Sequence, residues 1–183
     1  MLQRVAILHY ASPPIVGGVE SVIGYQAQGL SRIGVHIRII SGMGEPLPEP
    51  IETYFYPLFS SSHPDILSLK ADLDAGQLTT AFDSLRDQMV THLDEALADC
   101  DVLIAHNIHT MNKNLALTAA LHQYGETHPI QQIAYCHDLA ATNPQYQAEF
   151  HPGYPWNLLR EAWPGVRYVT ISPARQVTAG SVP

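Results

Sequence analysis

The sequence predicts an α/β domain in three layers, a parallel sheet with helices on both faces, and three observations carry that prediction. Short, continuous apolar runs recur along the chain, among them Val5-Ala6-Ile7-Leu8, Asp101-Val102-Leu103-Ile104-Ala105 and Ile133-Ala134-Tyr135-Cys136. Strands buried on both faces read as such runs, whereas strands with one wet face alternate. Segments with apolar residues at helical spacing separate the runs, and strands alternating with helices signal parallel pairing. Finally, 46% of the 183 residues are hydrophobic and only 14% charged, which is ample material for one packed core.

Each element follows from its own pattern. Val5 to Leu8 is too short for a helix and runs into a loop, His9 to Gly18, rich in Ser, Pro and Gly. From Val19, apolar residues fall at Val22, Ile23, Ala27, Leu30 and Ile33, one face of a 3.6-residue period, and Gly34 supplies the stop. Val35 to Ile40 is a second strand, with His36 and Arg38 alternating against Val35, Ile37 and Ile39. It completes a βαβ unit of about 35 residues, the length such a crossover needs. Ser41 to Pro50, with two glycines and three prolines, is a loop; Ile51 to Tyr56 is a third short strand, and Pro57 to Pro64 a break. Phe82, Leu85, Met89, Leu93 and Leu97, at steps of three and four, make Ala81 to Ala98 an amphipathic helix. Asp101 to Ala105 is a buried strand, Asn114 to Tyr124 a helix ended by Gly125, and Ile133 to Cys136 a strand. A helix near Trp156 to Trp163 precedes the last strand, Val166 to Ile171. No repeat, low-complexity tract or linker interrupts this order, so residues 1–183 read as one domain.

Charge narrows the function. Nine Lys and Arg stand against 17 Asp and Glu, a formal charge of −8. A generic nucleic-acid or anionic-membrane binder needs clustered cations, and this chain lacks the surplus. No run approaches the roughly 18 apolar residues of a membrane span. The amino terminus enters the first strand without a small-residue cleavage site. The expectation is a soluble, cytoplasmic protein. Two cysteines, Cys100 and Cys136, make neither a disulfide framework nor a thiolate metal site and are expected reduced and mostly buried.

In open parallel sheets ligands bind beyond the carboxyl ends of the strands. The residues there are polar: His9 and then Gly17-Gly18-Val19-Glu20 after the first strand, His106-Asn107-Ile108-His109-Thr110 after the fourth, His137-Asp138 after the fifth, Ser172 after the last. Gly17 and Gly18 open the first helix, where a phosphate can reach free N–H groups at the positive end of the dipole; the same pair also serves as a plain turn into the helix. The full G-x-G-x-x-G fingerprint with its ribose-binding acid is missing, which disfavours a nicotinamide cofactor. Glu20 in the first turn has a sufficient explanation as a helix-start residue. The histidines lack a helical H-E-x-x-H pattern or an evident carboxylate partner, so no metal is expected. Asp138 also fits the cap of a following helical turn. Asn143 to Trp156, aromatic and proline-rich, either walls a pocket or packs on itself.

Four segments stand in a familiar order: G-G-V-E opening a helix that ends L-S-R-I-G-V-H-I-R-I-I-S-G, then D-V-L-I-A-H-N-I-H-T, I-A-Y-C-H-D-L and Y-V-T-I-S. In order and spacing, from Val5 to about Ser172, they resemble the N-terminal domain of family 4 retaining glycosyltransferases, the GT-B enzymes built from two facing Rossmann-like domains. The resemblance implies a Rossmann-like fold and transfer of a sugar from a nucleotide-diphospho-sugar to an acceptor hydroxyl, with retention and no required cofactor. Carried over by motif, Gly17 and Gly18 approach the donor diphosphate, and His137 and Asp138 lie at the reacting centre, His137 bonding a sugar hydroxyl. His9, Glu20, His106, Asn107, His109 and Ser172 line the acceptor or sugar side. The family's donor-binding half has no counterpart in these 183 residues. The expectation is therefore a domain inactive without a C-terminal GT-B partner in cis or trans. A non-catalytic carbohydrate- or protein-binding module and half of a nucleotide-sugar epimerase remain open beside it.

Overall fold

The computed structural model describes residues 4–172. Six strands form one sheet: β1 Arg4–His9, β2 His36–Ser41, β3 Glu52–Phe55, β4 Val102–His106, β5 Gln131–Cys136 and β6 Arg167–Thr170. Their order is β3-β2-β1-β4-β5-β6 and every neighbouring pair is parallel. The chain enters at the centre, runs out to β3, returns beside β1 as β4 and runs to the other edge. The reversal between β1 and β4 is the switch point at which such sheets open a crevice.

Four helices cover the sheet: α1 Gly18–Arg32, α2 Pro64–Asp74, α3 Thr80–Leu97 and α4 Leu115–Thr127. Successive residues of a strand face opposite ways, so the apolar runs feed two cores. Val5, Ile7, Ile37, Ile39, Val102 and Ile104 meet Ile23 and Ala27 of α1. Ala6, Leu8, Ile40, Leu103 and Ala105 lie in the larger core with Phe82, Met89 and Leu93 of α3 and Leu117 and Leu121 of α4. This is the expected three-layer, Rossmann-like α/β fold. Among the described residues no helix is long and apolar enough to cross a membrane.

Three details differ from the expectation. The break after Pro57 is followed by α2, a helix the sequence reading leaves out. His63 caps it by accepting from the Asp65 N–H at 3.3 Å, Pro64 opens it, and Ile66, Leu69 and Leu73 are its buried stripe. Gly125 does not end α4, which runs on to Thr127. A side chain at Gly125 would run into the Gln132 amide, so the glycine serves close packing of α4 on β5. The helix expected near Trp156 is a short 3₁₀ turn, Trp156–Leu159, the last of three such turns between β5 and β6. Prolines at 144, 152 and 155 cut this stretch into pieces. Its Phe150 and Trp156 are buried in the larger core, while Tyr154 stays 42% exposed. The aromatic loop thus packs mainly on the domain itself. Gly34 does stop α1, at φ 87°. Both cysteines are free, Cys136 buried and Cys100 half-buried, and burial pushes both thiols up to about 11.

Candidate functional site

The carboxyl ends of β1, β4 and β5 are adjacent because these strands neighbour one another in the sheet. His9 is the last residue of β1, His106 the last of β4, and His137 the first after β5. His106 is fully buried and uses both ring nitrogens: Nε2 meets Gln26 Oε1 of α1 at 2.9 Å, and Nδ1 meets His137 Nε2 at 2.9 Å. With the Gln26 oxygen accepting, the His106 proton sits on Nε2, and Nδ1 accepts the proton that His137 carries on its own Nε2. His137 Nδ1 is then the nitrogen that the chain of bonds leaves unused. Tyr135 of β5 stacks on the His106 ring, centroids 4.8 Å apart, and the His137 ring stacks on it at 5.2 Å. His9 donates from Nδ1 to the His106 carbonyl at 2.8 Å. Its Nε2 lies 3.8 Å from the Glu20 carboxylate, beyond hydrogen-bonding reach.

Burial dominates the electrostatics. It pushes His9 down to about 4 and His106 down to about 3, and the neighbouring imidazoles add to both shifts. His137 is also held below the ordinary histidine value by burial, against a pull from Asp138 and Glu20 the other way. The three rings are therefore neutral at physiological pH, able to accept, donate and relay a proton, and poorly suited to carrying a lasting positive charge. With both His106 nitrogens bonded inside the protein, that ring has none to offer a metal. Among the described residues, no three His, Cys, Asp or Glu side chains are grouped to hold one.

Asn107 shapes this rim from behind. Its backbone sits at φ 61°, the left-handed region that asparagine tolerates better than most residues. There its Oδ1 accepts from the N–H groups of His137 at 2.8 Å and Asp138 at 3.2 Å, tying the exits of β4 and β5 together. Asp138 is half-exposed on the same turn.

Gly17 is the extended N-cap of α1, φ −167°, and Gly18 the first helical residue. Glu20 folds back over Gly17 so closely that a Cβ there would run into its carboxylate. The positive end of α1 is thus already faced by an acid of its own first turn. An incoming anion meets the Glu20 charge beside Gly17. His109 and Ser172 are not brought to the cluster. His109 meets Gln132 at 3.2 Å and rests on Trp163, centroids 4.4 Å apart. Ser172 lies past β6, where its carbonyl accepts from the Thr170 hydroxyl at 3.4 Å.

Two members of the cluster escaped the sequence reading, Gln26 and Tyr135. Gln26 carries a signal in hindsight, because it is polar yet three residues beyond the buried Ile23 and next to the buried Ala27, on the inner face of α1. Tyr135 has none, being one aromatic in an apolar strand.

No family model matches the chain, and no curated protein matches it. Among solved structures, an FMN-dependent NADH-azoreductase from Bacillus anthracis str. Ames Ancestor, in complex with FMN, is similar at 12% identity and a TM-score of 0.34, over 97% of this chain and 93% of that one. At that distance the likeness says nothing about chemistry.

Proposed function

We propose that this chain is the acceptor-side half of a retaining glycosyltransferase, moving a sugar from a nucleotide-diphospho-sugar to an acceptor hydroxyl together with a second Rossmann-like domain, in cis or in trans. The observation that carries the reading is the chain Gln26–His106–His137 at the sheet's carboxyl edge. It joins the G-G-V-E helix, the H-N turn and the H-D turn, three of the four segments on which the resemblance rests. In this reading His137 Nδ1 accepts a hydroxyl of the transferred sugar, and Asp138 lies beside it as a second polar contact. The leaving diphosphate gathers negative charge, and the α1 N–H groups at Gly17 and Gly18 stabilise it once Glu20 has moved aside. His9 and Glu20 line the α1 side. His106 and Asn107 hold the rim in shape, while His109 and Ser172 lie outside the immediate cluster. A cytoplasmic setting belongs to the same reading and is supported by two unpaired, protonated thiols.

The test is transfer of labelled hexose from UDP- and GDP-sugars by the chain joined to, or mixed with, a donor-binding partner domain. Transfer that falls at least a hundredfold in His137→Ala with folding intact supports the reading; unchanged turnover in that variant sinks it. A second reading is favoured by one feature, the Glu20 carboxylate over Gly17. A module that binds carbohydrate without a nucleotide has no need of an open anion site. Calorimetry separates the two, since such a module binds free sugar as well as the nucleotide sugar.

A further inference from the structure

At the amino end of β5, away from His137, a cleft opens between the last turns of α4 and the segment that leads into β6. Its volume is about 260 Å³. Trp163, Pro164 and Val166 line it from the β6 side, Gly125 and Glu126 from α4, and Gln132, the second residue of β5, completes the lining.

Gln132 supplies the feature that points to a ligand. The residue is 4% exposed, and its Oε1 is taken by His109 Nε2 at 3.2 Å. Its Nε2 has no acceptor among the described residues and is not one of their sealed, unpartnered atoms, so part of the little surface that Gln132 keeps belongs to this nitrogen. Gly125 gives it room. A side chain there would set its Cβ against Nε2, with the amide carbon and oxygen farther off, so the nitrogen end of the amide faces the glycine that lines the cleft. Buried polar groups in folded proteins are normally paired. Here the unpaired one is a donor that a ligand can reach.

The rest of the lining says what such a ligand carries. Among the described residues no Lys or Arg lines the cleft, and the exposed Glu126 carboxylate repels anions. Glu126 follows Gly125 in the chain, so an acceptor stands one residue from the place where the Gln132 donor emerges. The Trp163 indole N–H is spent on the Leu158 carbonyl at 2.8 Å, and the His122 ring packs across that indole with centroids 4.8 Å apart. The wall made by Trp163, Pro164 and Val166 is therefore apolar. A neutral group with a carbonyl beside an N–H answers both polar sites, the carbonyl accepting from Gln132 and the N–H donating to Glu126. A sugar ring fits less well, because hydroxyls turned to the apolar wall would lose water without gaining partners. A closed apolar cavity of about 150 Å³ takes one benzene ring, so this cleft has space for a ring and its amide.

We propose that this cleft binds a neutral small molecule in which an apolar ring carries a carboxamide or lactam edge, held between Gln132 Nε2 and the Glu126 carboxylate. The site is separate from the Gln26–His106–His137 chain and stands whether or not the transferase reading does.

Benzamide, acetophenone and benzoate test it. They share one ring, but acetophenone keeps the carbonyl without an N–H and benzoate is an anion. Titrations are followed by NMR of the backbone and side-chain amides of ¹⁵N-labelled protein. The expected result is saturable binding of benzamide, at least tenfold tighter than the other two, with the Gln132 side-chain amide resonances moving as the site fills. Gly125→Ala suits a helix but puts a methyl where Nε2 lies, and it abolishes binding of benzamide. Glu126→Ala, a change at an exposed position, removes the advantage of benzamide over acetophenone and keeps the test decisive if the first variant does not fold. Three results overturn the proposal: acetophenone or benzoate binding the unaltered protein as tightly as benzamide, an advantage of benzamide unchanged by Glu126→Ala, or no saturable binding of benzamide. The last is judged up to about 100 mM, far above a millimolar dissociation constant.

Discussion

Asn107 does two jobs that few side chains combine, holding a left-handed backbone and accepting two N–H bonds from the next strand's exit. Asn107→Ala keeps neither. It leaves two amide donors without their acceptor and is expected to destabilise the fold by about 1–3 kcal/mol, read as a lower urea midpoint. Asn107→Gly separates the two roles, because glycine accepts the backbone but not the bonds; stability equal to the unaltered protein would show that the bonds contribute nothing. Gln26 acts on protons more than on packing. Gln26→Leu removes the acceptor at 2.9 Å that keeps the His106 proton on Nε2. The expected outcome is a changed tautomer at His106 and His137, seen in the ¹⁵N spectra of the histidine rings. Unaltered ring spectra in that variant would mean that something other than Gln26 orders the protons. Such residues were beyond a reading of the sequence, since the spacing of an asparagine or a glutamine does not reveal which distant donor it meets.

At the level of elements, β1, β2, β4 and β5 were legible as largely apolar, buried strands, β3 and β6 as short strands between breaks, and α1, α3 and α4 as apolar residues repeating over several turns. α2 was not. Its stripe is three residues, Ile66, Leu69 and Leu73, set among Asp65, Ser68, Lys70, Asp72 and Asp74 behind a proline-rich break. Lys70, paired with Asp74 one turn on in the same helix at 2.6 Å, makes a tertiary contact to Glu149 of the β5–β6 connection at 2.8 Å. If burial in the larger core is what holds α2 in place, Leu69→Ala destabilises by about 2–5 kcal/mol. Thermal melting checks this, and a loss below about 0.5 kcal/mol would mean that α2 adds little to the core. Gly125 misled for a similar reason. A glycine near a helix end ordinarily signals a stop, but here the partner is Gln132 on β5, a contact outside the helix.

Across the whole molecule, the most exposed weakness is acid. His9, His106 and His109 sit far below the ordinary histidine value of 6.5 when folded, at about 4, 3 and 4. The unfolded chain takes up protons there from about pH 6.5 downward while the folded state does not, so stability is full above that pH and falls between pH 6.5 and pH 4. For a histidine held neutral to about 4, the loss on going from pH 7 to pH 5 is about 2 kcal/mol. Two or three such groups rival the whole stability of an ordinary domain. Urea midpoints are expected to drop steeply across this window, well above the range where the lowered Asp99 carboxylate is protonated. A midpoint that is level from pH 7 to pH 5 would contradict neutral burial of these rings.

By itself the sequence determined the layers, the parallel sheet and the polar rim, because apolar periodicity is a local property and burial rewards it wherever the strand lies. It also picked out His9, His106 and His137, since residues just past strand ends are placed by the fold class alone. Only the tertiary structure decided which of those side chains meet. It drew Gln26 and Tyr135 into the cluster, turned Glu20 over Gly17, and packed His109 away from it against Gln132 and Trp163. Those outcomes depend on the order β3-β2-β1-β4-β5-β6 and on side-chain directions across strands far apart in the chain. A hydrogen bond needs its partners within about 3 Å, a condition that the spacing of residues along a chain does not specify.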